Sequence, residues 1–189
     1  MIRSMNRRFF LYAGAAAAVA VAGGYAWRDR REPEPPQPAS ASPAPAPAAD
    51  PAAVLRNLSL PDLDGRERAL ADWQGRRPMV VNFWATWCAP CVKEMPELQA
   101  LHEKYPDIQF VGIGVDQAEK MREFIQKVPV TYPLLVMGAG AIDTLRSMGN
   151  PAGGLPFTLV LAADGSINRT ILGQIQADDL DRTLQGLAG

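Results

Sequence analysis

Residues 79–91 read MVVNFWATWCAPC, an apolar run followed at once by two cysteines. The run is short and rich in β-branched and aromatic residues, which is typical of a buried central strand. After it, apolar side chains recur at intervals of three and four, which predicts a helix over residues 89–105. The pattern therefore places Cys88 where a buried strand passes into the first turn of a helix.

This junction predicts a redox role for the two cysteines. The thiolate is the reactive species in disulfide exchange, and the free N–H groups and dipole of a helix N-terminus stabilise it. Cys88 is therefore predicted to be the nucleophile, with a lowered thiol pKa. Cys91 lies one turn deeper on the same helix face and is the expected resolving cysteine. Trp87 is expected to form an apolar wall beside the sulfur.

The composition argues against other roles for this pair. Cys88 and Cys91 are the only cysteines, and a disulfide that closes so small a loop constrains the unfolded chain little. His102, the single histidine, cannot complete a tetrahedral zinc set with them and is expected to be a solvated helix residue. Val92 stands where a haem attachment motif requires histidine. We expect no metal or cofactor, and the formal charge of −1 gives no reason to expect nucleic acid as a partner.

The rest of the chain after residue 53 alternates between strand and helix patterns. Further strands are predicted over residues 108–115 and 132–137, helices over residues 119–128, 141–148 and 178–187, and hairpins over residues 57–70 and 158–172. A β-α-β start followed by a hairpin and a closing helix predicts an α/β fold. Its mixed central β-sheet would be flanked by helices and preceded by an N-terminal β-hairpin extension.

The first part of the chain has the features of an export segment. Residues 1–8 form a basic n-region, and residues 9–27 are apolar and free of charge. A helix over residues 9–27 would be about 28 Å long, against a bilayer core of about 30 Å. The stretch is therefore either a transmembrane signal-anchor or a cleaved signal. Residues 7–11, RRFFL, also resemble a twin-arginine export signal, which leaves the export route open.

A linker rich in proline and alanine follows over residues 28–53, and the catalytic domain is expected over residues 54–189. Its residues 32–53, which contain eight prolines and eight alanines, tend toward polyproline II and could extend on the order of 70 Å. The sequence therefore predicts a domain that ranges along a membrane surface.

Residues 80–91, VVNFWATWCAPC, resemble the active-site block of the membrane-tethered, thioredoxin-like proteins of the TlpA/ResA type. Residues 70–76, LADWQGR, are similar to that family's lead-in, and residues 154–158, GLPFT, to the loop that carries its cis-proline. The resemblance implies a thioredoxin-like fold with a cis bond before Pro156. It also implies that the Leu155 backbone pairs with an extended substrate, so that Trp87, Leu155 and Pro156 bind substrate.

The proton acceptor is where this chain departs from ordinary thioredoxins. Those proteins have a buried aspartate six residues before the first cysteine, where this chain has Asn82, and an amide cannot accept the proton of the second cysteine. Glu94 follows Cys91 by three residues and should lean toward the sulfurs. TlpA/ResA-type proteins have a functional glutamate at this place, so Glu94 is the candidate proton relay. The alternative is an ordinary solvated helix residue.

The resemblance implies disulfide reduction outside the cytoplasm, in service of cytochrome c maturation or of copper-site cysteines. The expected partners are disulfide-containing proteins such as apocytochrome c, together with a membrane electron donor of the CcdA/DsbD type. We expect the chain in the bacterial inner membrane with its domain in the periplasm, or else as an exported soluble protein. The alternative functions are a DsbA-like disulfide oxidase, a thiol peroxidase and a copper-binding module.

Overall fold

A computed structural model describes residues 50–74 and 77–188 of the chain. In chain order its elements are α1 (Pro51–Arg56), β1 (Ser59–Pro61), β2 (Glu67–Ala69), β3 (Met79–Trp84), α2 (Ala89–Lys104), β4 (Gln109–Gly114), α3 (Ala118–Ile125), β5 (Leu134–Val136), α4 (Ala141–Ser147), β6 (Phe157–Leu161), β7 (Ile167–Leu172) and α5 (Ala177–Gln185). The predicted n-region, membrane segment and linker lie outside the described residues as far as residue 49. Among the helices that are described, none is both long and apolar enough to cross a membrane.

Five strands form one mixed sheet in the order β5–β4–β3–β6–β7. The β3–β4 and β4–β5 pairs are parallel, whereas the β3–β6 and β6–β7 pairs are antiparallel. Every residue of the central strand β3 is buried. Both faces of the sheet are covered by helices, which is why this strand reads as a continuous apolar run. The predicted α/β fold with a mixed sheet is confirmed.

Successive side chains of β3 point to opposite faces of the sheet, and each face has its own core. Val80 and Trp84 belong to the core formed with α2, α3 and α5. Val81 and Phe83 belong to the core formed with α1 and α4. Asn82 follows the same alternation and therefore points toward α2, where it is a buried polar group in an otherwise apolar strand.

The described domain begins with α1, a helix that the sequence assigned in part to the linker. The Asp50 side chain accepts a hydrogen bond from the Ala52 N–H at 3.1 Å, and Pro51 occupies the first helical position. Both features favour a helix start, and the buried Leu55 anchors the helix to the sheet. The predicted leading hairpin follows as β1 and β2, and a bridge from Asp62 to Leu135 joins it to the edge of the main sheet.

Candidate active site

The cysteine pair lies at the N-terminus of α2. Cys88 is the capping residue of this helix, and a disulfide bond joins it to Cys91. The Cys91 N–H donates to the Cys88 sulfur at 3.3 Å. Cys88 is 6% exposed, whereas Cys91 is completely buried. A thiolate on Cys88 would therefore meet both the helix N-terminus and solvent, while Cys91 is shielded from solvent.

A buried carboxylate holds the loop that leads into Cys88. The Thr86 N–H and hydroxyl both donate to Asp116 Oδ2, and the Gln117 N–H donates to Asp116 Oδ1 at 2.8 Å. Burial opposes ionisation of Asp116, but these hydrogen bonds and the nearby Lys120 charge outweigh it and lower the pKa of the carboxyl. The charged Asp116 thus fixes the active-site loop to the end of β4, and Trp87 on that loop is 67% exposed.

A second loop reaches the same end of the sheet. The peptide bond between Leu155 and Pro156 is cis, and the Pro156 carbonyl accepts a hydrogen bond from the Gly173 N–H at 2.9 Å. The strand register pairs Phe157 with Phe83, so this loop lies at the end of the sheet from which the chain runs to Cys88. Leu155 packs against the core cluster that contains both cysteines.

Glu94 is completely buried on α2, one turn after Cys91. The Asn82 Nδ2 donates to Glu94 Oε1 at 2.8 Å, and the Ile175 N–H donates to Glu94 Oε2 at 2.8 Å. The same Asn82 Nδ2 also donates to the Thr158 hydroxyl oxygen at 3.0 Å. Glu94 is therefore not the solvated helix residue of the alternative interpretation, because β3 and the β7–α5 loop both donate to its side chain, and Thr158 of β6 is joined to it through Asn82.

The surroundings of Glu94 favour its protonated form more than water does. Burial raises the pKa of Glu94 to about 7; the hydrogen bonds from Ile175 and Asn82 resist this rise, and the charge of Glu97 adds to it. Burial, together with the charge of Glu94, also raises the pKa of Tyr132. A carboxyl group with a pKa near neutrality can both accept and return a proton at the pH of its surroundings.

Three partners of this site were not predicted from the sequence. Thr158 is a polar residue inside the apolar strand β6, and Asp116 is an acid shortly after β4. A polar residue at a buried position is a signal that would have found both. Ile175 contributes only its backbone N–H, which leaves no trace in the residue type. Across residues 50–74 and 77–188, no group of three or more His, Cys, Asp and Glu side chains could hold a metal ion.

Comparison with known proteins gives one family. Residues 51–170 match the model of the AhpC/TSA family. Among curated proteins, the thiol-disulfide oxidoreductase ResA of Geobacillus thermodenitrificans is 28% identical over 131 residues, which cover 68% of this chain and 72% of that protein. The thioredoxin-like protein YneN of Bacillus subtilis is 30% identical over 133 residues, which cover 68% of this chain and 75% of that protein. Among solved structures, a thioredoxin-related protein from Neisseria meningitidis serogroup B is 31% identical with a TM-score of 0.58, covering 68% of this chain and 95% of that one.

The buried Glu94 makes the stability of the oxidised protein depend on pH. The folded state holds this proton up to a pKa of about 7, whereas the ordinary value is 4.5. Between these two values the folded state binds more protons than the unfolded state does. The free energy of unfolding should therefore fall as the pH rises through this window, by up to about 3 kcal/mol, and fall no further above it. Urea denaturation at a series of pH values measures this dependence.

The Glu94→Gln variant should lack this loss of stability. It keeps an acceptor for the Ile175 N–H, and its new amide can donate to Asn82 Oδ1, which has no partner among the described residues, once the Asn82 amide rotates. Glu103→Gln is the matched control, since Glu103 is an exposed glutamate on the same helix. Identical pH profiles for wild type and Glu94→Gln would contradict the buried proton.

Proposed function

The chain belongs to the AhpC/TSA family and is a thiol-disulfide oxidoreductase of the ResA type, and from this premise we propose that it is a disulfide reductase working outside the cytoplasm on a membrane tether. The carboxylate of Glu94, buried one turn after Cys91, carries the proposed direction. A negative charge close to a thiol disfavours its thiolate. Dithiol proteins that are strong oxidants have a high reduction potential because their reduced form is stabilised. A buried carboxylate opposes that stabilisation and favours reduction of the substrate.

The reaction begins at Cys88. Its thiolate attacks one sulfur of the substrate disulfide, forms a mixed disulfide and releases the other substrate sulfur as a thiolate, which takes up a proton from water. We assign binding of the polypeptide around that disulfide to the exposed Trp87 and to the loop with the cis bond between Leu155 and Pro156. Leu155 would pair its backbone with the substrate by strand addition.

Cys91 completes the reaction with the help of Glu94. The Cys91 thiol loses its proton to the Glu94 carboxylate and attacks the Cys88 sulfur of the mixed disulfide. The second substrate sulfur leaves as a thiolate and takes a proton, and the Cys88–Cys91 disulfide remains. Two electrons have then passed from the enzyme to the substrate. Asn82 and Ile175 hold the carboxylate in place while its charge changes.

A further thiol must return two electrons to the Cys88–Cys91 disulfide after each turnover. We assign this step to a membrane dithiol protein of the CcdA/DsbD type, which would attack Cys88 by the same exchange chemistry. The proposed substrates are disulfide-containing proteins outside the cytoplasm, with apocytochrome c and proteins that carry copper-site cysteines as the first candidates. The resemblance to TlpA/ResA-type proteins supports these partners.

The proposed location rests on the N-terminal sequence. We propose a single anchor in the bacterial inner membrane, with the domain in the periplasm. The N-terminal segments that support it are the basic n-region of residues 1–8, the apolar residues 9–27 and the linker of residues 28–53. The aromatic residues Tyr25 and Trp27 suit the membrane interface at the end of the apolar stretch, which favours a retained anchor over a cleaved signal.

Cys91→Ser should trap substrates on Cys88, because the mixed disulfide can no longer be resolved. Full-length Cys91→Ser, expressed in a bacterium with a periplasm, should give disulfide-linked adducts in the membrane fraction, and dithiothreitol should release the trapped proteins. Protease added to spheroplasts should digest the domain, because the proposed location exposes it there. Cys88→Ser is the matched control and should give no adducts through the buried Cys91. No adduct under conditions in which a known reductase traps its substrates, or a domain that protease cannot reach, would contradict the proposal.

Glu94→Gln should change the proton chemistry of Cys91 directly. In a Cys88→Ser background, where Cys91 is the only thiol, loss of the ionised carboxylate should shift the titration of Cys91, followed by the ultraviolet absorbance of its thiolate, to lower pH by about one unit. With both cysteines present, release of the second substrate thiol should slow by a factor of about 100 because the proton acceptor is missing. Glu103→Gln should leave both measurements unchanged. Coincident titration curves of Cys91 in the presence and absence of the Glu94→Gln change would remove Glu94 from the mechanism.

A further inference from the structure

Asn150 is a buried polar residue in the loop between α4 and β6, and the reaction scheme does not use it. It is 2% exposed. Its backbone N–H donates to the Leu145 carbonyl at 3.1 Å, so the residue is fixed to the end of α4. Its carbonyl accepts a hydrogen bond from the Gly153 N–H at 2.9 Å, which folds the loop back on itself.

The Asn150 side chain occupies both backbone groups of one residue in this loop. Nδ2 donates to the Gly154 carbonyl at 2.7 Å, and Oδ1 accepts from the Gly154 N–H at 3.3 Å. An amide side chain carries a donor and an acceptor side by side, as does the edge of a β-strand. Asn150 therefore takes the place that a neighbouring strand would have along Gly154, and Gly154 has no free backbone group toward a substrate.

Leu155 is the next residue, and it differs from Gly154 and Pro156 in the hydrogen bonding of its backbone groups. Within residues 50–74 and 77–188, no hydrogen bond reaches its N–H or its carbonyl. Pro156 has no N–H, and its carbonyl is occupied by the Gly173 N–H. Leu155 is thus the one position between Gly154 and Pro156 at which both backbone groups remain available to a partner.

A second contact keeps the loop in this position. Gly153 has a φ of +63°, and a Cβ there would lie 2.9 Å from the Ile142 Cγ2 of α4. The glycine lets the loop pack closely on α4 with a left-handed backbone. The hydrogen bonds of Asn150 and the close approach of Gly153 to Ile142 therefore both hold the loop against α4, and Leu155 follows directly after this segment.

We propose that Asn150 is a positioning residue that gives the enzyme its preference for disulfides in extended polypeptide segments. The Asn150 side chain occupies the backbone N–H and carbonyl of Gly154 from inside the protein, and it therefore restricts backbone pairing with the substrate to Leu155. This proposal rests on the proposed function and deepens it, because it names the substrate class of the same site. A small disulfide has no backbone to pair and gains nothing from Asn150.

The test compares three disulfides with the reduced, full-length enzyme in single turnovers, in which the rate at saturating probe and the half-saturating concentration are taken as kcat and KM. The first is the small disulfide DTNB. The second is an unstructured cysteine peptide carried as its mixed disulfide with thionitrobenzoate, a good leaving thiol. The third is the same peptide with the backbone nitrogens of the residues beside its cysteine methylated, one at a time. In each reaction the enzyme dithiol becomes a disulfide and the probe is reduced to two thiols.

For the wild type, methylation at one of these positions should lower kcat/KM by roughly three- to tenfold, because one backbone hydrogen bond is lost. Asn150→Ala should lower kcat/KM for the plain peptide by a similar factor through KM and remove the difference between the plain and methylated peptides. Its reaction with DTNB should stay within about twofold of the wild-type rate. Asn168→Ala, which changes an exposed asparagine on β7, should behave as wild type.

Each other outcome overturns the proposal. A wild type that does not distinguish the methylated peptides would remove backbone pairing by Leu155. An Asn150→Ala variant that keeps the wild-type distinction, or that loses DTNB reduction in proportion, would leave Asn150 with a merely structural role. If Asn150→Ala does not fold, Asn150→Asp, which keeps the side-chain volume and lacks the donor to Gly154, is judged by the same criteria. Failure of the wild type to react with any probe would instead refute the proposed function.

Discussion

Two hydrogen bonds to one buried carboxylate organise the active site. The Asn82 amide and the Ile175 backbone N–H donate to the two oxygens of Glu94, so β3, α2 and the β7–α5 loop converge on a single side chain. Burial of a carboxylate is costly unless its oxygens are hydrogen-bonded. With only two donors, both neutral, the compensation is partial, and the pKa of Glu94 rises to about 7. The same arrangement costs stability at high pH and leaves a carboxylate one turn after Cys91, where we propose that it accepts the Cys91 proton.

Two other buried side chains hold the cysteine loop and the cis-proline loop in place near Glu94. Asp116 fixes the loop that carries Trp87 and Cys88 to the end of β4. Asn150 fixes the loop that carries Leu155 to the end of α4. Asp116 and Asn150 are both buried polar side chains, and each forms hydrogen bonds with backbone groups of its loop. Rigid placement of exposed loops by buried polar residues is how a small domain can present a defined binding edge beside a reactive sulfur.

Much of the fold could be predicted because its strands and helices carry strong local patterns. The apolar run at residues 79–84 coincides with β3, and the helix predicted over residues 89–105 is α2 at Ala89–Lys104. Position 82 is asparagine where ordinary thioredoxins have aspartate, and this difference pointed to Glu94 as the proton acceptor. The bond from Ile175 to Glu94 could not be predicted, since Ile175 is 81 residues away and contributes only its backbone N–H. Thr158 stands out as a polar residue in an apolar strand, but its pairing with Asn82, 76 residues away, depends on the fold. The prediction of a solvated His102 was wrong, because its ring packs edge-on against Phe110 and Tyr132.

In the proposed function, the Cys88–Cys91 dithiol gives electrons to its substrates. The most direct measurement is the equilibrium reduction potential of the Cys88–Cys91 pair, determined in thiol–disulfide redox buffers at neutral pH. A reductase with a carboxylate buried one turn after Cys91 should have a potential near that of thioredoxin, about −270 mV. A potential near that of DsbA, about −120 mV, would mean that the reduced form is stabilised and that the protein is an oxidant. That result would contradict the account.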